Sequence, residues 1–215
     1  MKTLISDVHT HSEPLVAGTA VVSLSVTKGW MPHEGQLYAA GLHPWDVDEH
    51  WAERVEALRE LYRSPSSGQL VMIGEMGLDK LRGGDYGLQR RALTEQLEIA
   101  ESIGRIPVIH DVRSMNELLS LRRELRCQLP WLIHGFRGGA EQARQYLRAG
   151  CHLSLGQHFR EDVLRALPVE EIFLESDDQP DSLAVAYALA ASVTGLSTEA
   201  LRQQVNDNVL NLLRQ

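Results

Sequence analysis

Six residues of this 215-residue chain are of types that bind metal ions: His9, His11, Glu75, His110, His134 and Asp177. Each sits at or just past the end of a short apolar run. The runs read LISDV before His9, QLVMI before Gly74-Glu75, IPVI before His110, PWLI before His134 and IFLES before Asp177. His9 and His11 are two apart, so in extended chain both rings fall on one side and can ligate one ion. Glu75 has two oxygens to share, enough to bridge two cations, and Gly74 and Gly77 let backbone crowd close to it. Four imidazoles and two carboxylates suffice for two divalent ions. The chemistry they point to is hydrolysis by a metal-activated water, with Asp177 close to that water as general base. Asp178 follows directly, and the register read here is Asp177.

Two of these blocks are a matched pair. In Val108–Arg113 and Leu132–Arg137 an apolar run ends in His, with an Arg three residues on. Neutral imidazoles at strand ends suit a metal, while Arg113 and Arg137 suit an anionic substrate oxygen. Gly138-Gly139 opens the next helix, where free N–H groups could receive a phosphate. His43, in Gly41-Leu42-His43-Pro44, also follows an apolar run and is read as touching substrate rather than metal. Asp79 is expected to hold a loop or to stand behind a ligand. His33, His50, His152 and His158 have weaker contexts and are expected to be structural or exposed.

The elements that must position these residues alternate. Strand patterns fall at Leu4–Val8, Ala20–Val26, Leu37–Leu42, Leu70–Ile73, Ile106–Ile109, Trp131–Ile133, His152–Leu155 and Ile172–Leu174. They are short and apolar throughout, as strands buried on both faces should be. Helix patterns run from Asp48 to Tyr62, Gly87 to Ile103, Ser114 to Cys127, Ala140 to Ala149, Glu161 to Leu167, Ser182 to Val193 and Ser197 to Leu213. Ser114 reads as an N-cap with Glu117 completing a capping box, Ser197 as another N-cap, and Gly195 as a helix stop. The fold class predicted is α/β, a (β/α)8 TIM-type barrel whose strand ends converge on one mouth. Links Thr10–Thr19 and Thr27–Gln36 are too short for good helices, so the barrel should be reduced or distorted in its first third. The runner-up is an open, doubly wound sheet, against which counts the lack of GxGxxG after the first strand.

One domain spanning residues 1–215 is the simplest division, and 43% hydrophobic residues fit an ordinary globular protein. A net charge of -8 gives no bulk attraction to nucleic acid or an anionic membrane, although metals and local arginines can supply a positive field. Cys127 and Cys151 lack metal-site or disulfide spacing and are expected to be small buried or half-buried thiols. No stretch approaches a membrane span and no secretion signal is clear, so a cytoplasmic protein without membrane contact is expected. No protein partner is evident.

Taken together, DVHTH, GLHP, VMIGEMGLD, the Gln89–Ile103 helix leading to PVIHDVR, LIHGFRGGAEQARQYLRAGCHLSLG and IFLESD resemble the TatD family of metal-dependent hydrolases, within the amidohydrolase-like superfamily. The blocks span most of the chain in the family's order. The resemblance implies a TIM-type barrel, two divalent metals and phosphodiester hydrolysis, commonly as deoxyribonuclease. Carried over, the ligands are His9, His11, Glu75, His110, His134 and Asp177, with His43 and Arg113 near the substrate phosphate. The chain departs from the family where Lys80 replaces an aromatic after GLD, where Arg137 replaces a small residue, and where Asp178 extends the last block. Zinc, manganese, nickel and magnesium all suit such donors. A small phosphodiester or a DNA end is the expected substrate, since the acidic surface offers no groove for a long duplex. The opening DVHTHS also resembles PHP phosphoesterases. A C–N or ester hydrolase of the same superfamily, and a non-catalytic metal-stabilised binding protein, are the other readings.

Overall fold

The computed structural model describes residues 3–28 and 31–214. Three strands come first and the rest alternate with helices: β1 Asp7–Thr10, β2 Ala20–Ser25, β3 Leu37–Gly41, α1 Trp51–Arg63, β4 Leu70–Asp79, α2 Tyr86–Ile103, β5 Ile106–Val112, α3 Met115–Glu124, β6 Trp131–Ile133, α4 Ala140–Arg148, β7 Cys151–Leu155, α5 Glu161–Leu164, β8 Ile172–Leu174, α6 Ser182–Thr194 and α7 Thr198–Leu212. All neighbours pair in parallel in the order β1 to β8. The last strand returns to the first through a bridge between Thr10 and Asp177, with Asp177 N–H donating to His9 O (3.1 Å) and His11 N–H to Asp177 O (2.9 Å). The sheet is therefore a nearly closed barrel, and the doubly wound alternative is excluded.

No helix among the described residues covers the β1–β2 or β2–β3 link, as the short spacings required. Core residues from strands and helices alike are fully buried, among them Val8, Met72, Val108, Leu132, Tyr146, Leu153 and Leu174. Three helical side chains stitch helices to strand ends. The Tyr62 hydroxyl of α1 donates to the carbonyls of Ala40 and Met72 and accepts from Ala40 N–H. Gln89 and Gln96, seven residues apart on one face of α2, are both buried. A buried amide is costly unless satisfied. Gln96 is satisfied by the backbone of Leu42, accepting at 2.8 Å and donating at 3.2 Å, and Gln89 by the N–H and carbonyl of Asp79. Those backbones lie beside His43 and at the end of β4, so α2 fixes two segments of the mouth.

Three expectations need correcting. β1 begins at Asp7 rather than Leu4, and β4 and β5 run on to Asp79 and Val112, so His9, Glu75 and His110 lie within strands rather than beyond them. The extension of β4 is possible because positions 74 and 77 are glycines. Gly77 has φ +156°, and a Cβ there would lie 2.1 Å from the His110 carbonyl oxygen. Ser114 precedes α3 but does not cap it: its hydroxyl donates to Val112 O and receives the Tyr86 hydroxyl, while Glu117 pairs with Lys80. Ser197 does cap α7, accepting from Ala200 N–H at 3.2 Å, and Gly195 ends α6 in the left-handed region. Both cysteines are free, Cys151 buried and Cys127 half-buried.

Candidate metal centre

The six metal-type residues converge on the mouth, and Glu75 stands between them. Its Oε1 lies 2.7 Å from His110 Nδ1, 2.6 Å from His134 Nε2 and 3.0 Å from His43 Nε2. Its Oε2 lies 3.2 Å from His11 Nε2 and 3.4 Å from His9 Nε2. Asp177 Oδ1 is 3.5 Å from His11 Nε2 and 3.8 Å from His9 Nε2. Asp178 is exposed and approaches none of these rings, so the geometry favours the Asp177 register. Three donor groups have atoms within 4.8 Å of one another: His9, Glu75 and His134; His9, His11 and Asp177; and His43, Glu75 and His110.

These residues fit metal ions by their electrostatics and by what is unsatisfied. Burial would push the Glu75 carboxyl up, but the charge on His134 and hydrogen bonds from His11, His110 and His134 outweigh it and hold it well below the carboxylate range. Burial opposes charge on His134 too, yet Glu75 and Glu175 raise it well above the ordinary imidazole value. His9, fully buried and next to His134, is lowered. The field that keeps protons on imidazoles here is the field a divalent cation needs, and cation binding to such donors releases protons. His9 Nε2 is buried without a hydrogen-bond partner, which in a native interior calls for an explanation, and a metal supplies one.

Behind the rings stand two carboxylates. Asp79 Oδ2 lies 3.4 Å from His110 Nε2 and accepts from Trp45 Nε1 at 2.7 Å, while its Oδ1 accepts from Leu81 and Arg82 N–H. Glu175, buried, accepts from the Ser154 hydroxyl and has Oε1 3.8 Å from His134 Nδ1, near enough for charge attraction but beyond hydrogen-bond distance. A carboxylate on the far nitrogen fixes the tautomer and aims the near one at a metal. Asp79 thus takes the supporting role its sequence position suggested. Glu175 and Trp45 were not assigned roles by the sequence, because nothing in a lone acidic or aromatic residue beside a strand end tells which ring it will face.

His43 is brought into the cluster, closer than a purely substrate-facing residue would be. Its Nδ1 accepts from Trp45 N–H at 3.1 Å, which assigns the proton of the neutral ring to Nε2. A ring protonated on Nε2 donates to Glu75 or to a substrate oxygen and has no lone pair there for a metal. Arg113 and Arg137 are exposed and line one cleft of about 700 Å³ together with Lys80, His110, His134 and Asp177. Neither arginine has a carboxylate partner among the described residues. Among the described residues, Arg113 and Asp177 are two of three non-glycine residues in the left-handed region, both with φ 55°. Such strain gathers at functional sites. A smaller cleft of about 430 Å³ opens on the other side, lined by His11, Val22, Leu24, Lys28, His43 and Trp45. Lys80 is engaged by Glu117 across the rim.

Of the Gly138-Gly139 N–H groups expected to be open to phosphate, that of Gly139 already donates to Gln142 Oε1 at 3.0 Å. His33 and His50 are exposed, His158 likewise, and His152 pairs with Glu171 at 2.5 Å away from the mouth.

The family model described as TatD related DNase matches residues 24–214. That span holds His43, Glu75, His110, His134 and Asp177, while His9 and His11 precede it. The uncharacterised metal-dependent hydrolase YjjV of Escherichia coli K12 is 26% identical over 88% of this chain and 80% of its own. Its crystal structure superposes with a TM-score of 0.76 at 22% identity, covering 92% of this chain and 87% of that one. Deoxyribonuclease Tat-D of Schizosaccharomyces pombe is 22% identical over 96% of this chain and 80% of its own. The 3'-5' ssDNA/RNA exonuclease TatD of Erwinia tasmaniensis is 30% identical over 64% of this chain and 56% of its own.

Proposed function

Because the chain belongs to the TatD-related DNase family of metal-dependent hydrolases, we propose that it is a phosphodiesterase holding two divalent cations and acting on DNA ends or short single strands. The observation that carries this is Glu75, whose two oxygens face two separate sets of histidines. His9, His11 and Asp177 would hold one ion, His110 and His134 the other, with Glu75 between them. When bound, such ions supply Lewis acidity, which makes water a competent nucleophile at neutral pH and offsets phosphate charge.

The remaining chemistry belongs to the side chains. Asp177, half-exposed at the rim beside His9 and His11, would take the proton of the attacking water. His43 donates from Nε2 to a phosphate oxygen, with its ring held by the Trp45 backbone. Arg113 and Arg137 have no internal carboxylate to satisfy and are available to an anion. Few phosphate contacts imply a shallow salt dependence. The names of the fission-yeast and Erwinia relatives support a nucleic-acid substrate.

The test is a screen of metal-supplemented, highly purified protein against oligonucleotides of several lengths, phosphomonoesters, amides and lactones. Hydrolysis of short oligonucleotides about as well as long ones, falling only weakly with salt, is the expected result. Robust amide or lactone turnover with no nuclease activity overturns the phosphodiester assignment. Metal binding with no turnover of any class leaves a scaffold.

A further inference from the structure

Trp45 is the only exposed Phe, Tyr or Trp among the described residues, at 43% of its surface. It stands at the mouth, lining both the larger and the smaller cleft. Its ring centroid is 4.7 Å from that of His43 and 5.8 Å from that of His110, within one nucleotide of the candidate metal ligands. The ring is held rigidly: the indole N–H donates to Asp79, and the backbone N–H donates to His43. Its face already carries a planar, delocalised partner, the Arg82 guanidinium, 3.7 Å from the centroid. Holding Asp79 requires only a donor. It does not require a broad apolar ring facing water.

We propose that Trp45 is the stacking platform for the nucleobase beside the phosphate at the metal centre, the base seating in the smaller cleft. The two clefts divide the chemistry. The larger is lined by Lys80, Arg113 and Arg137, suited to a phosphate chain. The smaller is lined by Val22, Leu24 and the indole, with Lys28, Glu13 and Asp46 as polar groups, and so offers a base both apolar surface and hydrogen-bonding partners. Stacking uses the π-face that every base shares, so the platform distinguishes nucleotides from other phosphate esters without selecting among bases. The proposal rests on the phosphodiester reading for its position beside a scissile bond, but base binding is measurable without turnover.

Wild type, Trp45→Phe and Trp45→Leu, each loaded with manganese and checked for equal metal content, are titrated with deoxythymidine 5′-monophosphate and with 2-deoxyribose 5-phosphate. Wild type should bind the nucleotide about tenfold more tightly than the sugar phosphate, the size expected of one base–aromatic stack. Trp45→Phe, which keeps a ring but loses the donor to Asp79, should retain most of that preference. Trp45→Leu should lose it. In parallel, KM for a dinucleotide should rise about tenfold in Trp45→Leu, with little change for the same compound carrying an abasic unit. Equal affinity of wild type for the two monophosphates, or a preference that survives in Trp45→Leu, overturns the proposal. A Trp45-dependent preference in a protein that cleaves no phosphodiester leaves the platform standing and removes the phosphodiester reading.

Discussion

The two sides of the barrel mouth hold their histidines differently. On the side of β4 to β8, His110 and His134 each have a carboxylate at the far nitrogen, Asp79 and Glu175, and the strands carrying them are backed by helices. On the side of β1 to β3, no helix among the described residues follows β1 or β2, and His11 is 44% exposed, whereas His134, although its Nδ1 like His9 Nε2 is buried without a hydrogen-bond partner, has the Glu175 carboxylate 3.8 Å away. One half is preorganised by its own side chains. The other is set by backbone pairing of β1 with the segment after β8, and the rings of His9 and His11 face the carboxylates of Glu75 and Asp177. Glu75 is the residue the two halves share.

If that contrast is right, the largest effect should come from Glu75→Gln. Both halves lose their common carboxylate, and turnover should fall well beyond the roughly 100-fold upper range for removing an outer partner. Metal analysis should show weakened binding of both ions, and retention of two ions at wild-type affinity would refute the shared role. Next in size is Asp177→Asn, expected to lower turnover by about 10²-fold with smaller change in substrate binding. Asp178→Asn serves as its partner and should be near wild type, and the reverse pattern would move the register by one. A smaller effect belongs to the preorganised half alone. Glu175→Gln and Asp79→Asn should each weaken affinity for one ion by about 10- to 100-fold while the ion at His9 and His11 stays. Competition against a chelator reads this directly, and loss of both ions together would erase the distinction between halves. The smallest effect is on motion. Chelation should speed amide hydrogen exchange around His11 and the link to β2 while leaving Met76–Leu78 unchanged, and uniform acceleration of both would show that neither half is organised independently.

The same contrast explains what the sequence made legible. His9, His11, Glu75, His110, His134 and Asp177 could be read because a metal-type side chain at the end of an apolar run is conspicuous, and the strands carrying them were found within a few residues. The apolar run of β4 stops at Ile73, but Gly74 and Gly77 let the strand continue to Asp79 with backbone pressed against β5, so its end is not marked by the apolar pattern. Ser114 and Glu117 have cap spacing, but Val112, Tyr86 and Lys80 compete for them from elsewhere in the fold. Glu175, Trp45, Gln89 and Gln96 act only through partners brought by the fold. Their side chains would look the same on a solvated surface.

Barrel closure has a consequence in time. Asp177 accepts the amide of His11, and Asn206 of α7 accepts the amide of Ile5, a contact spanning 201 residues. During synthesis from the N-terminus, His9 and His11 emerge early and wait for nearly the whole chain before their carboxylate partner exists. The half-site they form is completed only when the segment after β8 pairs with β1, a long-range contact of the kind that forms slowly. A chain lacking the segment after β8 therefore carries His9 and His11 without their carboxylate partner Asp177.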